Sequence, residues 1–132
     1  MLVKRLDHIN ISVSNIASSL KWYRKVFGFE LVEEGEQNAR KWAIIRSGDA
    51  LICFSENPDR KILTGHEFHR LNHFGFTITD EKKWESIINL EKLELLYGGE
   101  VVIYPHSKAW YVSDPDGYEI EVALWENNSI KF

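Results

Sequence analysis

The chain has one cysteine, Cys53, in 132 residues. An intrachain disulfide is therefore excluded, and a reducing compartment, the cytoplasm by default, is expected. No run of Lys and Arg exceeds two, and the net charge is −4, so a nucleic-acid backbone is not an expected partner. No apolar stretch approaches the roughly 18–20 residues of a membrane helix. The opening Met1-Leu2-Val3-Lys4-Arg5 lacks the apolar run of a signal peptide. What is present is ordinary for a globular domain: 44% apolar and 27% charged residues, in a length that suits one domain spanning 1–132. The 13% aromatic content exceeds what folding alone needs; core packing accounts for most of the surplus, and the rest is a weak hint of a ligand cavity.

The most informative feature is a repeat. Residues 6–15, Leu-Asp-His-Ile-Asn-Ile-Ser-Val-Ser-Asn, recur in altered form at 71–80 as Leu-Asn-His-Phe-Gly-Phe-Thr-Ile-Thr-Asp. Leucine and histidine are identical, and only Asn10/Gly75 is not a conservative exchange. Self-similarity at a fixed offset signals a duplicated unit. In the first copy Ile9, Ile11 and Val13 alternate with His8, Asn10 and Ser12, which is a strand with one dry and one polar face. Asn15 then caps a helix whose Ile16, Leu20, Tyr23 and Phe27 share one side, and Gly28 ends it. Strands are predicted over 29–33, 41–46 and 50–55, with turns at 35–38 and 47–49. Residues 57–70 read as a linker.

In the second copy Phe74, Phe76 and Ile78 take the dry face, and His73, Gly75 and Thr77 the polar one. Asp80 caps a helix carrying Trp84, Ile87, Ile88 and Leu95. Strands follow over 100–104, 108–112 and 118–124, with a turn at Asp114-Pro115-Asp116-Gly117. The prediction is an α+β fold of two paired βαβββ modules, 1–56 and 71–126, forming a curved mixed sheet around a central cavity. The polar faces of both opening strands would look into that cavity, bringing His8 and His73 together.

On the closing strand Tyr118, Ile120, Val122 and Leu124 must face the helix, which turns Glu119, Glu121 and Ala123 to the cavity. Two histidines and one carboxylate suit a divalent ion such as Fe, Mn, Ni or Zn, with coordination positions left open. By the same parity Ser107, Ala109, Tyr111 and Ser113 point inward. The phenol of Tyr111 could hydrogen-bond a substrate oxygen or move a proton; simple packing on the sheet is its equal alternative. His66 and His69, with helical metal spacing in the linker, read as surface residues. His106 could border the cavity mouth. Arg40, Arg46 and Lys108 are candidate anchors for an anion, and Trp42 and Trp110 belong to the core or a subunit contact.

The segments Asp7-His8-Ile9, Trp22-Tyr23…Phe27-Gly28-Phe29 and Asp114-Pro115-Asp116-Gly117-Tyr118-Glu119-Ile120-Glu121 resemble the vicinal oxygen chelate superfamily, also called the glyoxalase/bleomycin-resistance/dioxygenase superfamily. The resemblance covers nearly the whole chain. It implies a divalent metal held by His8, His73 and Glu121, and a small substrate that chelates it through adjacent oxygens. The reaction would be isomerisation, lyase chemistry, thiol addition or ring cleavage. It also implies a homodimer whose metal sites can draw ligands from both subunits. Four-ligand members take a further ligand from the strand at 50–56, where the position falls on Ile52 or Cys53, with Glu56 reaching only after a register shift. That departure favours three ligands, the arrangement of fosfomycin-resistance thiol transferases and extradiol dioxygenases. The alternative is a metal-free small-molecule or antibiotic-binding resistance protein.

Overall fold

The computed structural model describes residues 1–59 and 71–130, and divides into two compact units on either side of Ile62. His66 and His69 lie outside the described residues. Among the described residues no helix is long and apolar enough to cross a membrane.

Unit 1 runs β1 (Ile9–Val13), α1 (Ile16–Phe27), β2 (Glu30–Gln37), β3 (Arg40–Ser47) and β4 (Ala50–Glu56). Its sheet has the order β1-β4-β3-β2, with β1 parallel to β4 and the other pairs antiparallel. The parallel pair is possible because α1 carries the chain back across the sheet. Asn15 Oδ1 accepts from the Ser18 N–H at 2.8 Å, and Gly28 takes a left-handed φ of 69° that lets its N–H close on Arg24. The buried helix face is Ile16, Ser19, Tyr23 and Val26, rotated slightly from the expected one, since Leu20 and Phe27 are only half-buried. Tyr23 meets Phe29 and Phe54 at ring separations of 5.8 and 5.4 Å over a core that includes Val13, Ile45 and Ile52.

The expected turn at 35–38 is corrected. Gly35 lies inside β2, opposite Trp42, whose ring occupies the room a side chain would need: a Cβ on Gly35 would fall 2.6 Å from it. The real turn is Asn38-Ala39, with φ of 52° and 59°, closed by the Gln37–Arg40 pair. Two successive positive φ values are those of a type I′ hairpin. Trp42 is half-buried on this strand rather than in the core.

Unit 2 repeats the plan with β5 (Phe74–Thr77), α2 (Glu81–Leu90), β6 (Val102–Ile103), β7 (Ser107–Ser113) and β8 (Glu119–Trp125). The sheet order is β5-β8-β7-β6, again with the opening and closing strands parallel. Asp80 caps α2 through the Lys83 N–H at 3.0 Å, and Trp84 and Trp110 are buried. Leu95 is not on the helix. The chain breaks out at Lys92, φ 51°, and Leu95 instead bridges Val112. Strand β6 is shorter than the predicted 100–104. The turn before β8 is held by Asp114, whose carboxylate accepts from the N–H groups of Asp116 and Tyr118, both at 2.9 Å. The α+β architecture of two βαβββ modules is thus the one the repeat predicts.

Candidate metal and ligand site

The parallel register of β5 on β8 sets Gly75 beside Glu121 and brings the preceding His73 to the same polar face. His73 Nε2 lies 3.0 Å from Glu121 Oε2. On the far side of the ring, Nδ1 is 2.6 Å from Asn72 Oδ1 and 3.6 Å from Glu119 Oε2. With Nδ1–H donating to Asn72, the Nε2 lone pair faces a carboxylate, so two electron-pair donors meet and call for a proton or a cation between them. Bonds of roughly 2.0–2.2 Å to one ion would set such donors ~3 Å apart. The pair fits a divalent metal in distance and in donor type.

His8 repeats the Nδ1 contact in unit 1. It is part-exposed, and its Nδ1 is 2.7 Å from Asp7 Oδ2. In both modules the residue before the histidine pins Nδ1 and leaves Nε2 as the available ligand atom. Partners of this kind orient metal-bound histidines. The histidine's hydrogen bond is the main cause that holds the Asp7 carboxyl below its usual range. Among the described residues no cluster of three or more His, Cys, Asp or Glu could hold a metal. Unit 2 by itself contributes the His73–Glu121 pair.

The register also resolves the choice between Ile52 and Cys53. Asn10 pairs with Cys53 as Gly75 pairs with Glu121, so Cys53 is the counterpart of Glu121, while Ile52 is 1% exposed in the core. Burial, with the charge of Asp7 adding to it, pushes the Cys53 thiol up. In the metal-free protein this favours the protonated thiol near neutral pH. Glu56 is excluded by parity. It pairs with Ser12's neighbour Val13, on the helix side, and its carboxylate accepts from the Ile16 N–H at 2.9 Å. The repeat's one non-conservative position is explained as well: a Cβ on Gly75 would sit 3.2 Å from the Glu121 carbonyl oxygen, whereas Asn10 meets Ser55 Oγ at 3.0 Å.

A cavity of about 720 Å³ opens over this face of unit 2, lined by His73, Glu121, Tyr111, Tyr104, Phe76 and Trp125 among others. Tyr111 and His106 are both among the lining residues. The Tyr111 ring stands edge-on to His73 at 5.9 Å and to Tyr97 at 5.1 Å, and its hydroxyl is 2.6 Å from that of Tyr104. Burial, the Tyr104 hydrogen bond and the charge of Glu121 push its pKa up, which favours the protonated phenol. Lys108 lies on the opposite face of β7, its ammonium 2.6 Å from Glu81 on α2, and so cannot anchor a ligand here. Arg40 and Arg46 are exposed residues of unit 1; Arg46 shares the sheet face of Cys53.

Sequence reasoning missed two phenols and undervalued one carboxylate. Glu119 has an 8% exposed side chain and accepts from the Tyr97 hydroxyl. That bond is the chief reason the Tyr97 pKa is pushed up to about 12. Tyr97 sits at φ 57°, followed by Gly98 and Gly99 at 82° and 78°. Non-glycine residues hold such a φ where their surroundings fix them. The only sequence signal is the Gly-Gly pair, which marks a bend without naming what the bend carries. For Asp7 and Asn72 the signal lay in the repeat itself.

The Glyoxalase model, described as the Glyoxalase/Bleomycin resistance protein/Dioxygenase superfamily, matches residues 5–122. The chain belongs to this superfamily. It is 29% identical over 123 residues to the metallothiol transferase FosB of Staphylococcus epidermidis, covering 92% of this chain and 84% of that protein. It is also 29% identical over 119 residues to the catechol-2,3-dioxygenase of Bacillus subtilis (strain 168), covering 89% of this chain and 40% of that one. Among solved structures, a glyoxylase/bleomycin resistance protein/dioxygenase domain from Frankia sp. EAN1pec superposes with a TM-score of 0.79 at 15% identity, over 96% of both chains. A variant of the fosfomycin resistance protein FosX from Listeria monocytogenes, complexed with Mn(II) and 1S,2S-dihydroxypropylphosphonic acid, gives 0.72 at 18% identity over 98% of this chain and 100% of that one.

Proposed function

We propose that this protein is a divalent-metal-dependent enzyme acting on a small molecule that offers the metal adjacent oxygens, with His8, His73 and Glu121 as metal ligands. The observation that carries this reading is the His73 Nε2–Glu121 Oε2 approach of 3.0 Å at the wall of a ligand-sized cavity. The matching Nδ1 contacts of His8 and His73 support His8 as the third ligand, from the same chain or from a second copy. When bound, the ion would polarise a substrate oxygen and stabilise negative charge developing on it. Asn72 and Asp7 hold the imidazoles in orientation. Tyr111 and Tyr104 offer hydroxyl protons to a substrate oxygen in the cavity. Of the reaction types the superfamily spans, the metallothiol transferase relatives favour thiol addition. The ion is one of Fe, Mn, Ni or Zn, and a cytoplasmic location belongs to the same reading.

Elemental analysis of protein purified without chelator tests the site. Near one divalent ion per chain is expected, and His73→Ala should lose it. Full retention by that variant would remove the ligand set, and a metal-free wild type that still binds small molecules would point to the binding-protein alternative. A dimer in sedimentation at micromolar concentration is expected if sites draw on two subunits; a monomer that still binds metal would refute sharing.

A further inference from the structure

The walls of the unit 2 cavity carry information about its ligand beyond the metal-binding pair. Tyr104, Tyr111 and Trp125 supply three aromatic rings, and among the described residues that line it none is Lys or Arg. Lys108, the cation nearest in sequence to the wall-forming Ser107, is turned to the other side of the sheet and bound to Glu81. The charged groups facing the space are acidic: Glu121 in the wall, with Glu119 behind His73. A dianion entering here would lose its hydration among rings and carboxylates, with no side-chain cation in this wall to add to the charge of the bound ion. An apolar ring would instead exchange water for aromatic contacts. Volume points the same way. About 720 Å³ lies within the roughly 300–1,000 Å³ of sites for drug-sized ligands, and a three-carbon phosphonate would leave much of it unfilled.

We propose that this cavity takes an uncharged ligand with a ring-sized apolar body beside its paired oxygens, and that it discriminates against alkyl phosphonates. The proposal rests on the metal-chelate reading for the placement of the paired oxygens, and on the cavity wall for the rest. Trp125, with Ala123 and Ile130, forms the apolar seat; the Tyr104 and Tyr111 hydroxyls supply neutral hydrogen bonds that do not require a charged partner.

A matched pair of probes separates these chemistries: 1-phenylpropane-1,2-diol and 1,2-dihydroxypropylphosphonate share one vicinal diol and differ in phenyl against phosphonate. Affinities are read by calorimetry and by tryptophan fluorescence, on protein loaded with Mn(II) and on protein stripped by chelator. The phenyl diol is expected to bind the loaded protein at least roughly tenfold more tightly. Trp125→Ala should erode that preference, and Thr77→Arg, which adds a cation to the exposed cavity wall, should raise phosphonate affinity several-fold. Equal or tighter binding of the phosphonate by the wild type overturns the proposal, as does failure of the phenyl diol to bind at millimolar concentration. If the stripped protein keeps the phenyl preference and no metal binds at all, the metal-chelate reading fails while the wall chemistry stands.

Discussion

Tyr97→Phe isolates one hydrogen bond in the second unit. The substitution keeps the ring that stands edge-on to Tyr111 at 5.1 Å and removes only the hydroxyl that donates to Glu119. A hydrogen bond to a charged group contributes roughly 1.5–3 kcal/mol. Tyr97 is 57% exposed, so water can reach the vacated position, and solvent screening lowers the expected loss to about 1–2 kcal/mol. For a chain of this length that corresponds to a fall in Tm of roughly 4–7 °C. The pH dependence follows from the direction of the shift. The folded pKa of Tyr97, about 12, lies above the ordinary tyrosine value of ~10. Its contribution is therefore fully present below pH ~10 and is lost as pH rises through 12. Thermal or urea denaturation of wild type and variant should show a constant gap through neutral pH that closes in alkali. Ultraviolet titration should lose one late-ionising phenol in the variant, and Glu119→Gln should bring that phenol back toward the ordinary range. A gap that is absent near neutral pH, or that widens above pH 10, would refute the reasoning.

Other predictions concern the two registers. On the three-ligand reading Cys53→Ala should leave metal content unchanged; a drop in bound metal would show that the thiol is a ligand. The same thiol should react with iodoacetamide more slowly than an exposed cysteine near neutral pH and catch up as pH rises, measured by mass spectrometry. Gly75→Val crowds the Glu121 backbone, already 3.2 Å from a Cβ at that site, and should cost roughly 1–3 kcal/mol in urea denaturation while weakening metal binding. A variant with unchanged metal affinity would count against Gly75 as the residue that makes room for Glu121.

Strand parity made much of this legible. A period of two along β1, β5, β7 and β8 assigns faces without knowledge of tertiary contacts, which is why His73, Tyr111 and Glu121 could be read onto one surface. The repeat supplied the architecture, since each unit has to bury the same helix face. What escaped was chemistry carried by loops. Tyr97 and Tyr104 reach Glu119 and Tyr111 through bends that have no period, so nothing in their spacing announces the contacts. Gly35 misled in the opposite direction. Glycine among polar residues reads as a turn, but here it yields space to the Trp42 ring, while the turn itself uses Asn38 and, less predictably, Ala39. The end of α2 also went unread, because Leu93 and Leu95 continue an apolar pattern past the point where Lys92 turns left-handed.

The correspondence of Asn10–Cys53 with Gly75–Glu121 has a further consequence. One chain contains the same strand pairing twice, once with a carboxylate on the closing strand, Glu121, and once with a thiol there, Cys53. The first unit thereby serves as a built-in control for the second. A perturbation that acts on strands and caps in general should register in both halves, whereas one that acts through the Glu121 carboxylate should register in the second.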